Sequence, residues 1–151
     1  MARNGIESGT VPATWPFARE INAAAEATNF SAILVAAIQQ NETNGMADAA
    51  TVISGDGGRG VMQLTAEYPP NWAEPYANIL YAIDNFLEPA EAYWSATCQG
   101  DDLVRCIAAE YNGGRGNAIR GHEEGDVDAY STNNYGDRAL AGYHLLAKGT
   151  P

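Results

Sequence analysis

Basic side chains are scarce in this sequence: 8 lysine and arginine residues stand against 19 aspartate and glutamate residues, a formal charge of −11 at pH 7. An electrostatic field of that sign repels polyanions, so the composition argues against nucleic acid as a partner. It also argues against a cationic protein that is drawn to anionic surfaces. A neutral or mixed-charge polymer is the kind of macromolecule that suits this charge.

Long apolar runs are absent from the sequence as well. None approaches the roughly 20 residues that a membrane-spanning helix needs. The opening residues, MARNGIESGTVP, lack the apolar core of a secretion signal. We therefore expect no membrane insertion, and synthesis in the cytoplasm without a signal peptide.

Cysteine and histidine are represented by only two residues each. Cys98 and Cys106 are close enough in sequence to close a small loop oxidatively, and they are equally consistent with two buried thiols. With only His122 and His144 beside them, no ligand spacing typical of a metal site is present. The glycine-rich segment 54–60 lacks the lysine and the spacing of a phosphate-binding loop. We therefore expect neither a metal nor a cofactor.

The sequence does contain enough apolar residues for a folded domain. Of its 151 residues, 46% are hydrophobic and 18% are charged, a balance that argues against disorder. We expect one domain over residues 1–151 that is monomeric and mostly helical, with residues 1–13 as a loop-like N-terminal extension.

One stretch, from Phe30 to Glu42, organises the rest of the chain. Its apolar residues recur at helical spacing and predict a core-facing stripe: Phe30, Ile33, Leu34, Ala37 and Ile38. The same count reaches Glu42 in the last turn, with Ser31 as the predicted N-cap and Gly45 as the predicted C-terminal cap. Burial and the negative end of the helix dipole both raise the pKa of such a carboxyl group, which suits a general acid. The alternative is a helix that frays at Ile38 and leaves Glu42 in solvent.

Further helices are predicted on both sides of this stretch. One has Pro16 in its first turn, and an amphipathic pattern runs from Tyr76 to Thr97 with Pro89 expected to kink or divide it. Another core helix ends near Asn112, and the last helix is predicted over Tyr135–Ala147.

Five short motifs follow one another along the chain, and the resemblance that they carry extends from roughly Ile21 to Leu146. They are Gln40-Asn41-Glu42-Thr43, Gly60-Val61-Met62-Gln63, Ala77-Asn78-Ile79, Ala109-Glu110-Tyr111-Asn112-Gly113-Gly114 and Asn134-Tyr135-Gly136. Together they resemble the lysozyme-like lytic transglycosylases, with goose-type lysozymes as close relatives. The resemblance implies a mainly α, lysozyme-like fold, the α+β lysozyme superfold with a minimal or absent β-hairpin. The strand propensity of residues 51–53 marks where a short hairpin would lie.

The resemblance also implies a substrate and a set of site residues. The substrate is peptidoglycan, cut at the β-1,4 bond between N-acetylmuramic acid and N-acetylglucosamine. Glu42 matches the catalytic acid/base of the family. The positions that match its substrate-binding groove are Met62, Gln63, Tyr111, Asn112 and Tyr135. The departures from the family pattern are Thr43 for a serine, Gly113 for an alanine, and Glu110 for the alanine before the tyrosine.

The number of carboxylates decides the reaction type. Glycosidases ordinarily use two, whereas a transglycosylase of this family needs only Glu42, because the substrate's acetamido group assists and the muramic C6 hydroxyl closes a 1,6-anhydro ring. Asp56, in Gly55-Asp56-Gly57-Gly58, looks like the aspartate of goose-type lysozymes that positions water for hydrolysis with inversion. It is equally interpretable as a turn aspartate that bonds its own backbone. We slightly prefer the transglycosylase, with the hydrolase as the alternative.

Two further alternatives keep the fold and change the function. One is a virion or cell-wall protein that binds glycan without cutting it, and the other is an enzyme for another N-acetylglucosamine polymer such as chitin. The lack of a signal, an anchor and a cell-wall-binding module leads us to expect a phage lysin. Such a protein acts on the cell wall, in the periplasm, after release from the host cytoplasm or as a virion component.

Overall fold

The structure, a computed structural model, describes residues 2–44, 46 and 48–148. Within these residues the chain is mainly helical, as predicted. Seven α-helices are seen: α1 (Ala18–Thr28), α2 (Ala32–Thr43), α3 (Pro75–Ala82), α4 (Glu88–Trp94), α5 (Gly100–Gly113), α6 (Arg115–Glu123) and α7 (Tyr135–Ala147). In this part of the chain no helix is long and apolar enough to cross a membrane.

Helix α2 lies at the centre of the core, between α1 and α7. Every residue from Ala32 to Gln39 is buried, so the helix is enclosed on all sides rather than along the single stripe that the spacing predicted. The Ser31 hydroxyl accepts a hydrogen bond from the Leu34 N–H at 3.1 Å, which confirms the predicted N-cap.

The end of α2 places a carboxylate at the edge of the core. The helix continues to Thr43 and does not fray at Ile38, so Glu42 lies in its last turn. Asn44 adopts a left-handed conformation with φ 47° and donates its N–H to the Gln40 carbonyl, which ends the helix. Gly45, the predicted cap, lies outside the described residues.

The long pattern from Tyr76 to Thr97 is interrupted where proline was expected to interrupt it. A π-helical turn, Ile83–Leu87, separates α3 from α4, and the Glu88 N–H bonds the Ile83 carbonyl five residues back. Pro89 has no N–H to donate, so the wider turn falls just before it. Helix α1, by contrast, begins at Ala18 rather than Pro16, because Phe17 takes a left-handed conformation with φ 60°.

In the described part of the chain, extended structure is limited to short pieces. Two-residue strands β1 (Ala2–Arg3) and β2 (Ile6–Glu7) pair antiparallel near the N-terminus. Around residues 51–53 the predicted hairpin is reduced to a 3₁₀ turn at Ala49–Thr51 and isolated bridges that pair Arg59 with Ile53 and with Leu64.

The N-terminal segment is packed against the core rather than loop-like throughout. Ile6 and Val11 are buried. The Ser31 hydroxyl donates to the Glu7 carbonyl at 2.5 Å, and the Glu7 N–H donates to the Tyr143 hydroxyl at 2.7 Å. Strand β2 is therefore tied to the beginning of α2 and to α7.

Candidate active site

Glu42 is a partly buried carboxyl group at the end of the central helix. Burial raises its pKa from an ordinary value of 4.5 to about 7. The hydrogen bond that the Tyr135 hydroxyl donates to Glu42 Oε2, at 2.5 Å, favours the charged form and limits that rise in pKa. The negative charge of Asp56 raises the pKa further, and the positive charge of Arg138 lowers it. Glu42 is therefore poised to exchange a proton near neutral pH.

An open cleft lies against this carboxyl group. Its lining residues are Glu42, Asp56, Gln63, Leu64, Thr65, Phe86, Tyr111 and Asn112. The structure thus brings five of the seven sequence-predicted site residues to one cleft, and Tyr135 reaches the same place through its bond to Glu42. Leu64, Thr65 and Phe86 were not predicted. They complete the lining, and no motif distinguished them from core or loop residues.

Gln63 is held in an uncommon backbone conformation beside the cleft. Its φ is 52°, a left-handed value that costs free energy for a residue with a side chain. Both its backbone N–H and its side-chain Nε2 donate to the Gly60 carbonyl, at 3.1 and 3.0 Å. A Cβ added at Gly58 would lie 2.5 Å from Gln63 Oε1, so a larger residue there would displace the Gln63 amide. The amide is therefore fixed in place before any ligand arrives.

Met62 does not reach the cleft, which corrects its predicted role in binding substrate. Its side chain is 0% exposed and packs in the core. Its backbone takes part instead, because the Met62 carbonyl accepts the Tyr111 hydroxyl at 2.5 Å and its N–H donates to Asn78 Oδ1 at 2.8 Å. The next residue, Gln63, has a left-handed backbone conformation, and its side chain lines the cleft.

Asn78 and Thr43 hold the segment that carries Gln63. Asn78, on α3, is fully buried and also donates Nδ2 to the carbonyls of Arg59 and Trp72, both at 3.0 Å. The Thr43 hydroxyl donates to the Val61 carbonyl at 3.1 Å, which ties this segment to the end of α2. Both residues belong to the motifs named above. No role was predicted for Asn78, and Thr43 was noted only as a departure from the serine of the family pattern. A buried amide in an apolar helix was the available signal.

The first turn of α7 places Tyr135, and a buried aspartate organises it. The Asp128 carboxylate accepts the N–H groups of Gly136 at 2.7 Å and Asp137 at 2.8 Å, together with the Ser131 hydroxyl at 2.7 Å. Asp128 is 3% exposed, and a negative group at a helix N-terminus is favourably placed. On the other side, Asn41 Nδ2 donates to the Tyr135 carbonyl at 3.2 Å. Sequence reasoning missed Asp128 because it lies in an irregular polar stretch.

Two residues of the α5 motif take different positions. Asn112 lines the cleft, and its Oδ1 accepts the Thr132 N–H at 2.7 Å, so it also anchors the loop that precedes α7. Glu110, which departs from the alanine of the family pattern, does not line the cleft and accepts hydrogen bonds from Trp94 Nε1 and Arg115 Nε, each at 3.0 Å. It therefore belongs to a cluster between α4, α5 and α6.

Asp56 lies in its own turn and at the cleft at once. Its Oδ1 accepts hydrogen bonds from the Ser54 hydroxyl and from the Gly58 N–H, and these bonds hold its pKa below the ordinary value of 3.8. Asp56 therefore bonds the backbone of its own turn, as one of the two interpretations predicted. Its carboxylate also lines the cleft with Glu42.

Cys98 and Cys106 are both buried free thiols, with the two sulfur atoms 3.5 Å apart. Of the two alternatives that the sequence left open, the structure therefore has the reduced pair. His122 lies beside them with Nε2 3.8 Å from Cys98 Sγ. Sequence spacing did not predict this cluster, because its members come from three different elements.

No protein-family model matches this sequence, and no curated protein matches it. The function is therefore inferred from the residues of the cleft and from the motifs that they carry.

Proposed function

We propose that this protein cleaves a β-1,4 glycan, with Glu42 as the general acid and then the general base. The observation that carries the proposal is the carboxyl group of Glu42, whose pKa burial raises to about 7 at the edge of an open cleft. A group with that pKa is present in both protonation states at neutral pH. It can therefore protonate a leaving oxygen and afterwards accept a proton from the attacking hydroxyl.

The other residues of the cleft suit a carbohydrate ligand. The lining combines the amides of Gln63 and Asn112 with the aromatic rings of Phe86 and Tyr111. Amides bond sugar hydroxyl and acetamido groups, and aromatic faces pack on the apolar faces of sugar rings. Gln63 is already fixed by its bonds to Gly60, so little ordering entropy is lost when a ligand binds.

The motif resemblance implies that the glycan is peptidoglycan and that the bond cleaved joins N-acetylmuramic acid to N-acetylglucosamine. It also supports a lysozyme-like fold, since the buried helix α2 ends in the acid and the short bridged segment that follows reaches Gln63. A chitin-cleaving enzyme with the same cleft, and a protein that binds glycan without cutting it, are the alternatives that the experiment must separate.

The lytic transglycosylase reaction is preferred because it needs one titrating carboxyl group. Asp56 is held by hydrogen bonds that lower its pKa, and a carboxylate with a low pKa is a weak base for activating water. In the transglycosylase the C6 hydroxyl of the muramic residue attacks the anomeric carbon, its proton passes to Glu42, and the product ends in a 1,6-anhydro ring.

Hydrolysis is the second candidate, and one observation favours it. Asp56 lines the same cleft as Glu42 and is close enough for its charge to raise the pKa of Glu42. Two carboxyl groups on opposite sides of the scissile bond, with room for a water molecule, are the arrangement of an inverting glycosidase.

The test is digestion of purified peptidoglycan, followed by mass spectrometry of the muropeptides. We compare the unaltered chain with Glu42→Gln and with Glu26→Gln, a matched control on the exposed face of α1. We expect products lighter by one water, as 1,6-anhydro ends, from the unaltered chain and the control, and none from Glu42→Gln. Reducing ends instead would identify the hydrolase.

Two results would overturn the proposal that this protein cleaves peptidoglycan with Glu42. Undiminished cleavage by Glu42→Gln would remove Glu42 from the chemistry. Sedimentation with peptidoglycan but no products from any variant would identify a binding protein. Chitin oligomers digested in parallel report the substrate: faster cleavage of chitin than of peptidoglycan would reassign it.

A further inference from the structure

A cluster of three potential metal ligands lies on a different part of the molecule from the cleft. Cys98 lies in the turn between α4 and α5, Cys106 on α5, and His122 in the last turn of α6. One ligand atom from each residue falls within 4.8 Å of the other two. The cleft-lining residues do not include any of them, so the glycan-cleaving proposal leaves the cluster without a role.

The distances in this cluster fit a bound metal better than a disulfide. The two sulfur atoms are 3.5 Å apart, and His122 Nε2 is 3.8 Å from Cys98 Sγ. Tetrahedral zinc, with Zn–S near 2.3 Å and Zn–N near 2.0–2.1 Å, places two sulfurs about 3.8 Å apart and a sulfur and a nitrogen about 3.6 Å apart. A disulfide would need the sulfurs at about 2.05 Å.

The burial of the cluster also suits a metal site. Cys98 is 6% exposed and Cys106 is 2% exposed, whereas His122 is exposed. The Trp94 ring packs against the His122 ring, with centroids 5.3 Å apart, and this contact helps to orient the imidazole. Two sulfur ligands therefore come from the protein interior and the nitrogen from its surface, which leaves a path for an ion to enter.

We propose that Cys98, Cys106 and His122 bind one Zn²⁺ ion, with water in the fourth position. Two thiols and an imidazole are ligands that zinc prefers in tetrahedral sites. Binding releases the two thiol protons to solvent, so the complex of Zn²⁺ with two thiolates and a neutral imidazole carries no net charge. A neutral complex is compatible with a largely buried position, and the ion joins the α4–α5 turn, α5 and α6.

Charged side chains of both signs surround the cluster, and the cationic one is paired with carboxylates. Asp102 and Arg105 line the cavity beside Cys106 and His122. The Arg105 guanidinium is turned to Asp137, to which its Nε donates at 2.7 Å, while Asp102 is an exposed carboxylate one helical turn from Cys106. The nearby carboxylate favours a cation and can hydrogen-bond a metal-bound water.

The test uses the full chain with its thiols kept reduced, loaded with zinc chloride and freed of excess metal by gel filtration. We expect one zinc per chain by elemental analysis. With cobalt chloride as the probe, we expect the strong visible bands of tetrahedral Co²⁺ and a thiolate-to-metal charge-transfer band. Sub-stoichiometric zinc, or the weak spectrum of octahedral Co²⁺ without charge transfer, would overturn the proposal.

Variants separate a built site from casual binding. His122→Asn changes an exposed residue and so should leave the fold intact, and we expect it to weaken zinc binding at least about 100-fold. The matched control is His144→Asn, which removes the other histidine, paired with Asp101 at 3.1 Å, and should bind zinc as the unaltered chain does. Equal affinity in both variants would contradict the site.

Two further readouts keep the proposal independent of the first variant and of the proposed enzyme. Zinc should raise the thermal midpoint of the unaltered chain and of Glu42→Gln, and should not raise that of His122→Asn. The mass of the chain provides the last check. If, even under the reducing conditions of the assay, the chain is two hydrogens lighter than its fully reduced mass and binds no zinc, the cysteine pair is a disulfide and the proposal is wrong.

Discussion

The Tyr135 hydroxyl donates a hydrogen bond to Glu42 Oε2 at 2.5 Å, although 93 residues separate the two in the sequence. The bond joins the first residue of α7 to the last turn of α2. It opposes the effect of burial, because it stabilises the carboxylate, whereas burial stabilises the neutral acid. The pKa of Glu42 therefore depends on two helices: α2, which buries the carboxyl group, and α7, which supplies the Tyr135 hydroxyl.

Tyr135→Phe should raise the pKa of Glu42 above its value of about 7, because the variant removes the donor that stabilises the charged form. A hydrogen bond to a charged group is worth about 1.5–3 kcal/mol, which corresponds to roughly one to two pKa units. The fall in cleavage rate at alkaline pH should move upward by that amount. The pH–rate profile and a carboxyl NMR titration measure the shift.

The control for this variant is Tyr143→Phe, the same change on the same helix at a hydroxyl that accepts the Glu7 N–H. It should leave the pKa of Glu42 where it is. An alkaline limb that stays in place in Tyr135→Phe would mean that the bond does not determine the titration of Glu42.

Glu42→Gln should make the folded state more stable at pH 8 and leave it nearly unchanged at pH 4. The pKa of Glu42 is raised on folding, from 4.5 to about 7, so the folded state binds more protons than the unfolded state between those values. Stability is therefore lost as pH rises through that interval, and glutamine avoids the loss. With allowance for partial exposure the gain is about 1–3 kcal/mol.

Chemical denaturation of both proteins at pH 4, 6 and 8 measures this difference. Glu26→Gln, on the exposed face of α1, is the control and should show no pH-dependent gain. A constant difference between Glu42→Gln and the unaltered chain at all three pH values would refute the raised pKa.

The elements that the sequence predicted best are those with a local cause. Helix α7 has the predicted bounds, Tyr135–Ala147, and the Ser31 cap is where it was expected. The interruption before Pro89 follows from the missing N–H of that residue. In each case spacing or the chemistry of one residue decides the structure, so no knowledge of distant contacts is needed.

The parts that the sequence did not predict depend on contacts between distant segments. Asp128 binds the N-terminus of α7 from an irregular stretch, and Asn78 joins two loop segments, one with Arg59 and Met62 and one with Trp72, through one amide. Met62 was assigned to the cleft with its neighbour Gln63, but its side chain is buried in the core, whereas that of Gln63 lines the cleft. The meeting of Cys98 with His122 likewise requires the packing of α6 on α5.

Asp128→Asn should destabilise the protein and also change the titration of Glu42. One amide oxygen cannot replace the two carboxylate oxygens that accept the Gly136 and Asp137 N–H groups, so we expect a loss of about 1–3 kcal/mol. Because the first turn of α7 holds Tyr135, loosening it should weaken the bond to Glu42 and raise its pKa, as in Tyr135→Phe.

Denaturation and the pH–rate profile of Asp128→Asn distinguish positioning from simple stabilisation. The control is Asp84→Asn, at an exposed carboxylate in the π-helical turn, which should change neither measurement. A destabilised Asp128→Asn with an unchanged pH–rate profile would assign Asp128 to stability alone.

Gly136→Ala and Gly142→Ala, two identical changes on α7, should affect stability in opposite directions. A Cβ at Gly136 would lie 2.8 Å from Asp128 Oδ1 and 2.9 Å from the Arg105 carbonyl, so the first turn must shift. We expect a cost of about 1–3 kcal/mol from that clash. At Gly142 the Cβ would lie 3.6 Å from Ala37 Cβ, an ordinary contact, and alanine should stabilise the helix by about 0.5–1 kcal/mol.

Denaturation of the two variants measures the difference, and the cleavage assay adds a second comparison. Gly136→Ala displaces the turn that holds Tyr135, so it should lower activity beyond its effect on the folded fraction, whereas Gly142→Ala should retain full activity. Equal stability of the two variants would mean that Asp128 and the Arg105 carbonyl can move aside without cost. The close packing of Gly136 against Asp128 could then not be the constraint that fixes Tyr135 over Glu42.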